Sequence, residues 1–177
     1  YSAFNTANAS GVDGNVIIGH YAGAGMTTGN HCVGIGRGVL YAAVEADAVV
    51  AVGYNAGASA MTSDADGSVF VGSHAGYSIT SGIGNIAIGY QALDAEDDGD
   101  YNTAIGYQAL TAQTGTSGTV ANTAIGYHAG LAITTSHYNT FVGYEAGKSM
   151  TAGSGRSVFI GMRAGDAVTL ANYNVAI

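Results

Sequence analysis

Residues 102–110 read NTAIGYQAL, and residues 85–93, seventeen positions earlier, read NIAIGYQAL. NTAIGYHAG follows at 122–130 and NTFVGYEAG at 139–147. Self-similarity at a short fixed period marks a repeat architecture and outranks local propensity as evidence of fold. Aligned on the glycine of the IG or VG pair, the copies stand at Gly19, Gly36, Gly53, Gly72, Gly89, Gly106, Gly126, Gly143 and Gly161. The intervals are 17, 17, 19, 17, 17, 20, 17 and 18 residues. A partial coil begins at Asn174 with NVAI, and YSAF at residues 1–4 reads as the worn end of another.

Each column of this alignment has a physical reading. Ile18, Ile35, Val52, Val71, Ile88, Ile105, Ile125, Val142 and Ile160 stand immediately before the glycine, and Val, Ile or Thr stands three before it. This is a short β-branched strand with side chains alternating between two faces. The unbroken Ile/Val column is expected to be the core ladder, with the glycines as structural positions beside it. Alanine stands three residues past the glycine in all copies but Val39, followed by glycine six times and by Leu40, Leu93 and Leu110 in the others. Glycine there suits a positive φ, so the leucine copies are expected to turn the corner differently. An apolar–threonine pair, as at Met26, Met61, Ile79, Ile133, Met150 and Val168, predicts a second, weaker strand. The return loop ends on Asn or Ser at positions 15, 68, 85, 102, 122, 139, 157 and 174, a candidate side-chain ladder.

The reading is all-β: a parallel β-solenoid, or β-roll, of about ten coils with a ~17-residue repeat, forming a single repeat domain over residues 1–177. Helix is disfavoured, since each interior glycine would cost about 1 kcal/mol. Two short strands per coil enclose a thin core, and recurrent glycines suit close approach of another backbone. A trimer of rolls around an axis is therefore expected. The chain begins and ends in mid-pattern, which predicts a segment of a longer fibre, able to stack end to end with neighbouring segments through its open strand edges.

Composition narrows the function. The 29 glycines lack a three-residue period and there is no proline, which excludes collagen. With 47% apolar residues the chain can bury a core, which argues against disorder. A net charge of −8 and a pI near 4.6 disfavour nucleic acid, and the scattered Arg37, Lys148, Arg156 and Arg163 make no basic patch for anionic membranes. No apolar run reaches the ~18–20 residues that span a bilayer. Cys32 has no partner cysteine within the chain.

The N-x-A-I-G-x-x-A unit resembles the head repeat of trimeric autotransporter adhesins, left-handed parallel β-rolls. The fuller form, NTAIGYQAL…NTAIGYHAG, is similar to repeats of bacteriophage tail fibres that often precede a chaperone domain. The tyrosine at positions 54, 90, 107, 127 and 144 favours the phage type, because the autotransporter units rarely carry it. The resemblance implies a homotrimeric, extracellular fibre shaft, on a virion tail or a cell surface, holding a receptor-binding or adhesive tip that lies outside this segment.

Chemistry in the sequence is sparse. Hexapeptide acyltransferases coil at a similar interval, but their [ILV]-G signature recurs three times per coil and here it occurs once. GAGMTTG lacks the lysine of a phosphate loop. His74 and His128 share a column three coils apart, about 14 Å at parallel-strand spacing, too far for one metal. His20, His31 and His137 show no second-ligand spacing, although a three-fold axis could gather copies into a ring. In the acidic loop 94–100, Asp94, Glu96, Asp98 and Gly99 match positions 1, 3, 5 and 6 of an EF-hand loop, but position 12 is Ile105 rather than glutamate. A solvated charged loop is the plainer reading, with a loose calcium site the sharper one; SDADG at 63–67 is weaker still. The tyrosine column is expected to pack between rolls, a glycan-contacting ladder being the alternative. Thr103, Thr123 and Thr140 are too few for an ice-binding face. The expectation is a non-enzymatic structural protein with no catalytic residue, metal or cofactor.

Overall fold

The structure, a computed structural model, describes residues 13–62, 65–115 and 117–177. The YSAF copy and Ser63 and Asp64 of the SDADG loop lie outside the described residues. Fourteen short strands follow in order: β1 (Val16–Ile18), β2 (Val33–Ile35), β3 (Val50–Val52), β4 (Val69–Val71), β5 (Ile86–Ile88), β6 (Gly99–Asp100), β7 (Thr103–Ile105), β8 (Gly118–Thr119), β9 (Thr123–Ile125), β10 (Thr140–Val142), β11 (Ala152–Gly155), β12 (Val158–Ile160), β13 (Leu170–Asn172) and β14 (Val175–Ala176). One parallel sheet runs β1-β2-β3-β4-β5-β7-β9-β10-β12-β14, each strand one coil on from the last. Its register is unbroken: Ile86, Ala87 and Ile88 pair with Thr103, Ala104 and Ile105, which pair with Thr123, Ala124 and Ile125. The fold is a β-solenoid of about nine turns.

Every coil turns through left-handed residues at the same places. One lies two residues past the glycine, as at Gln91, Gln108 and His128 (φ 51–54°), and another five residues before it, as at His31, Tyr101 and Tyr138 (φ 56–60°). A non-glycine residue in this region is strained. The strain is offset by a backbone bond to the preceding coil at such corners, as from Gln108 N to Tyr90 O (2.9 Å) and from Tyr101 N to Ile83 O (2.9 Å).

The two faces of the sheet are the reverse of the sequence expectation. In each strand the middle residue points inward: Ala51, Phe70, Ala87, Ala104, Ala124, Phe141 and Phe159 are fully or almost fully buried. The column of Ile18, Ile35, Val52, Val71, Ile88, Ile105, Ile125, Val142 and Ile160 faces outward, with Ile18 56% and Ile125 39% exposed. Alternation defines two faces, but when both are apolar it does not say which one is inside. The interior is narrow, and Ala, Gly or Phe fits it where a β-branched ladder on every rung does not.

The leucine corners also depart from expectation. Leu40, Leu93 and Leu110 adopt the same left-handed conformation as the glycines they replace (φ 50°, 53° and 51°) and are fully buried. The reason is volume. Where the strand's inward residue is Gly34, Ala87 or Ala104, the corner of the same coil supplies leucine. Where it is Phe70, Phe141 or Phe159, the corner is Gly76, Gly147 or Gly165, and a Cβ there would run into that phenylalanine ring. Gly57 and Gly130 belong to alanine coils, and Phe70 and Phe141 of the next coil fill their space. Burial of a whole leucine side chain, about 1.5–3 kcal/mol, outweighs the cost of its backbone.

No second strand forms at the apolar–threonine pairs. Met26, Met61, Ile79, Ile133 and Met150 are buried, and the threonine amides still bond the next coil, as from Thr134 N to Thr151 O (2.9 Å). Extra pairing occurs instead in the return loops, where β6 meets β8 and β11 meets β13. The asparagine ladder is present: the Oδ1 atoms of Asn85, Asn102, Asn122 and Asn139 accept from the backbone amides of Asn102, Asn122, Asn139 and Ser157 at 2.8–3.0 Å. Cys32 takes this column's place in the second coil, its Sγ 3.1 Å from the Ala46 oxygen, and burial pushes its thiol up.

Candidate functional site

The most extended candidate site is the outer face of the long sheet. Each strand contributes two β-branched side chains to it, and the third stands inward. One column is the Ile/Val ladder; the other is Val16, Val33, Val50, Val69, Ile86, Thr103, Thr123, Thr140, Val158 and Val175. Neither contains a charged residue. A contiguous apolar surface on one face marks an interaction site more often than chance.

One residue past the glycine, and two past the Ile/Val ladder, runs an aromatic edge. Tyr90, Tyr107, Tyr127 and Tyr144 stack in sequence with ring centroids 5.0, 5.5 and 5.1 Å apart and planes within 20°. They are 40–47% exposed, and their spacing is set by the coil rather than by the rings. Ser73 interrupts the column, so Tyr54 instead meets the His74 ring at 5.2 Å and the Arg37 guanidinium at 5.6 Å. Beside the tyrosines lies a polar ladder that sequence reading missed. Gln108 donates to Gln91 Oε1 (2.8 Å), and His128 Nε2 lies 3.0 Å from Gln108 Oε1. Glu145 continues it with ion pairs to Lys148 (2.8 Å) and Arg163 (2.9 Å), which hold its carboxyl below the usual range. The column two residues past the glycine is the signal that finds this ladder.

His74 and His128 are thus parts of the edge, bonded to Ser73 Oγ (3.1 Å) and Gln108. The His137 ring meets Tyr138 edge-on at 5.4 Å, and the His20 ring lies tilted against Tyr21 at 4.0 Å.

The acidic loop is organised around its interior. Glu96 occupies the column in which other coils place Met26, Ile79 or Met150, and it is fully buried. Its Oε1 accepts from Gly99 N (2.9 Å) and Asp97 N (3.1 Å), and its Oε2 accepts from the buried Gln113, the same column one coil on. Gln113 Oε1 in turn accepts from Asn122 Nδ2 (2.8 Å). The reading of 94–100 as a solvated charged loop is corrected for Glu96, whose carboxylate is buried and held by three donors, while Asp97 is exposed and Asp94, Asp98 and Asp100 are half-buried. Glu96, Asp97 and Asp98 do bring one oxygen each within 4.8 Å of one another.

Burial pushes the Glu96 carboxyl up, against the opposing pull of its Gln113 and backbone donors. The folded chain therefore holds this proton more tightly than the unfolded chain, and stability falls as pH rises through the ordinary glutamate pKa (about 4.3) to the raised one. Asp94 and Asp98, also raised chiefly by burial, act in the same direction. The melting temperature is expected to decline as pH rises above the ordinary glutamate range, about 4.3, and less steeply in Glu96→Gln. Equal slopes in the two proteins would show that Glu96 is not the main titrating group.

Among the described residues no helix is long and apolar enough to cross a membrane. No protein-family model, no curated protein and no solved structure matches the chain.

Proposed function

We propose that this chain is a structural, non-enzymatic shaft segment of an elongated extracellular fibre, of the phage tail-fibre kind, in which three copies of the roll pack around an axis. The observation that carries the reading is the uncharged, β-branched outer face of the long sheet, with an Ile or Val on every coil from Ile18 to Ile160. A lone roll leaves it in water; packing against a second and third copy covers it, and the repeat makes the contact identical at each coil. Repetition of one rung supplies length, and length is what a spacer between a particle and its binding tip requires. The sequence resemblance points the same way.

The test separates the two faces. Wild type is expected to sediment at three times the 17.6 kDa chain mass. Ile105→Asp, on the outer face, is expected to sediment as a single chain with its β-sheet circular dichroism retained. Ala104→Asp, one residue away and pointing inward, places an unpaired charge in the core and is expected to lose the sheet signal. Wild type that stays monomeric at tens of micromolar would overturn the oligomeric shaft. Immunogold label in native material, along thin fibres at phage tails rather than on cell surfaces, checks the location.

A further inference from the structure

The aromatic edge and its polar ladder run in step over most of the roll, and both break at the second coil. There the tyrosine column holds Arg37, and the polar column holds Gly38, where other coils carry Asn55, His74, Gln91, Gln108, His128, Glu145 or Arg163. A missing side chain between Tyr21 and Asn55 leaves a space. Tyr41 closes it from the far side, its ring edge-on to Tyr21 at 6.2 Å, and Tyr54 forms the floor beneath the Arg37 guanidinium. The result is a cleft of about 260 Å³ lined by these six residues. A Cβ on Gly38 would run into Asn55 Oδ1, so the cleft exists because this coil has glycine there.

Its chemistry differs from that of the rest of the edge. Gln91, Gln108 and His128 bond one another, and Glu145 is paired to Lys148 and Arg163. Arg37 has no carboxylate partner among the described residues, in a chain of net charge −8, and its recorded contact is the Tyr54 ring. No acidic side chain lines the cleft. An exposed guanidinium beside three half-exposed tyrosines suits a ligand with a carboxylate and a flat apolar face.

We propose that this cleft binds an acidic sugar, a pyranose bearing a carboxylate. The guanidinium fork takes the carboxylate through charge-assisted hydrogen bonds, the tyrosine rings take the sugar's C–H face, and the Asn55 amide and tyrosine hydroxyls take its hydroxyl groups. The volume lies just below the usual span of small-molecule sites, about 300–1,000 Å³, which suits one ring rather than a long chain. The proposal goes beyond the shaft reading and does not depend on it.

The test is ligand-observed NMR titration of the whole chain with 3′-sialyllactose, a glucuronate-containing disaccharide and neutral lactose, each to about 10 mM. At least one acidic sugar is expected to bind ~10-fold more tightly than lactose, and which one tells sialic acid from hexuronate as the source. Arg37→Gln is expected to bring the acidic sugars down to the lactose level. Gly38→Gln gives this coil the residue that Gln91 and Gln108 carry in theirs, so it is expected to fold, fill the cleft and abolish binding. Equal binding of lactose and both acidic sugars overturns the proposal, as does absence of binding, retention of the preference in Arg37→Gln, or unchanged binding in Gly38→Gln. Inorganic phosphate that competes as well as the acidic sugars would reduce the cleft to a plain anion site and also overturn it.

Discussion

Gly106→Ala is expected to lower the melting temperature by roughly 10–15 °C, about 4 kcal/mol in a chain of this size. Gly106 has φ 139°, a region that L-residues rarely adopt, and a Cβ built on it would overlap the carbonyl oxygen of Gly126 and lie 2.6 Å from its carbon. Those atoms are backbone of the next coil and cannot swing aside as a side chain would. Relief requires the two coils to separate, which strains the bonds from Gly126 N to Ile105 O (2.8 Å) and from His128 N to Tyr107 O (3.0 Å). Backbone strain of about 1–3 kcal/mol and overpacking of similar size then add. Gly67→Ala is the control: its φ is 70° and no atom lies within 4 Å of the added Cβ, so a loss of only about 2–4 °C is expected. Thermal melts by circular dichroism compare the two. Equal, small losses would mean that the coils are not held at the contact distance described.

The second large effect is a rescue. Phe70→Ala empties the interior of the fourth coil and is expected to cost about 3–5 kcal/mol. Gly76→Leu alone drives a side chain into the Phe70 ring and is expected to cost about 1–3 kcal/mol. Together they convert the fourth coil to the alanine–leucine combination that Ala87 and Leu93 already use in the fifth. The double variant should be more stable than Phe70→Ala alone, with a coupling of at least ~1 kcal/mol in denaturant melts. Additive losses would refute the account of why leucine tolerates its left-handed corner.

That account also explains what the sequence made legible. The period, the strand at V-x-I-G and the asparagine ladder were readable because each recurs at one fixed offset from the glycine. Which face is buried was not. Invariance of Ile18 through Ile160 suggested a core, yet the interior column runs from Gly34 to Phe141. Interior positions vary because a partner in the same coil, or in the next one, compensates their volume; the outer column has no such partner within the chain. Glu96 was misread for a related reason. Judged by its acidic neighbours it belongs to a loop, whereas judged by its distance from Gly89 it belongs to the interior column with Ile79. The break at Arg37 and Gly38 was visible in the alignment but acquires meaning only when the side chains above and below it are placed.

The in-register parallel sheet, in which each strand bonds only the coil before and the coil after, has a mechanical consequence. A load that peels the chain from one end meets a single coil's bonds at a time, never the whole sheet in shear. Each yielding coil frees about 17 residues, some 55–60 Å of extended chain at ~3.3–3.6 Å per residue. Under tension the roll would therefore pay out in even steps, lengthening by many times its own rise per coil before the next coil gives way, so that a pull is absorbed in stages rather than in one rupture.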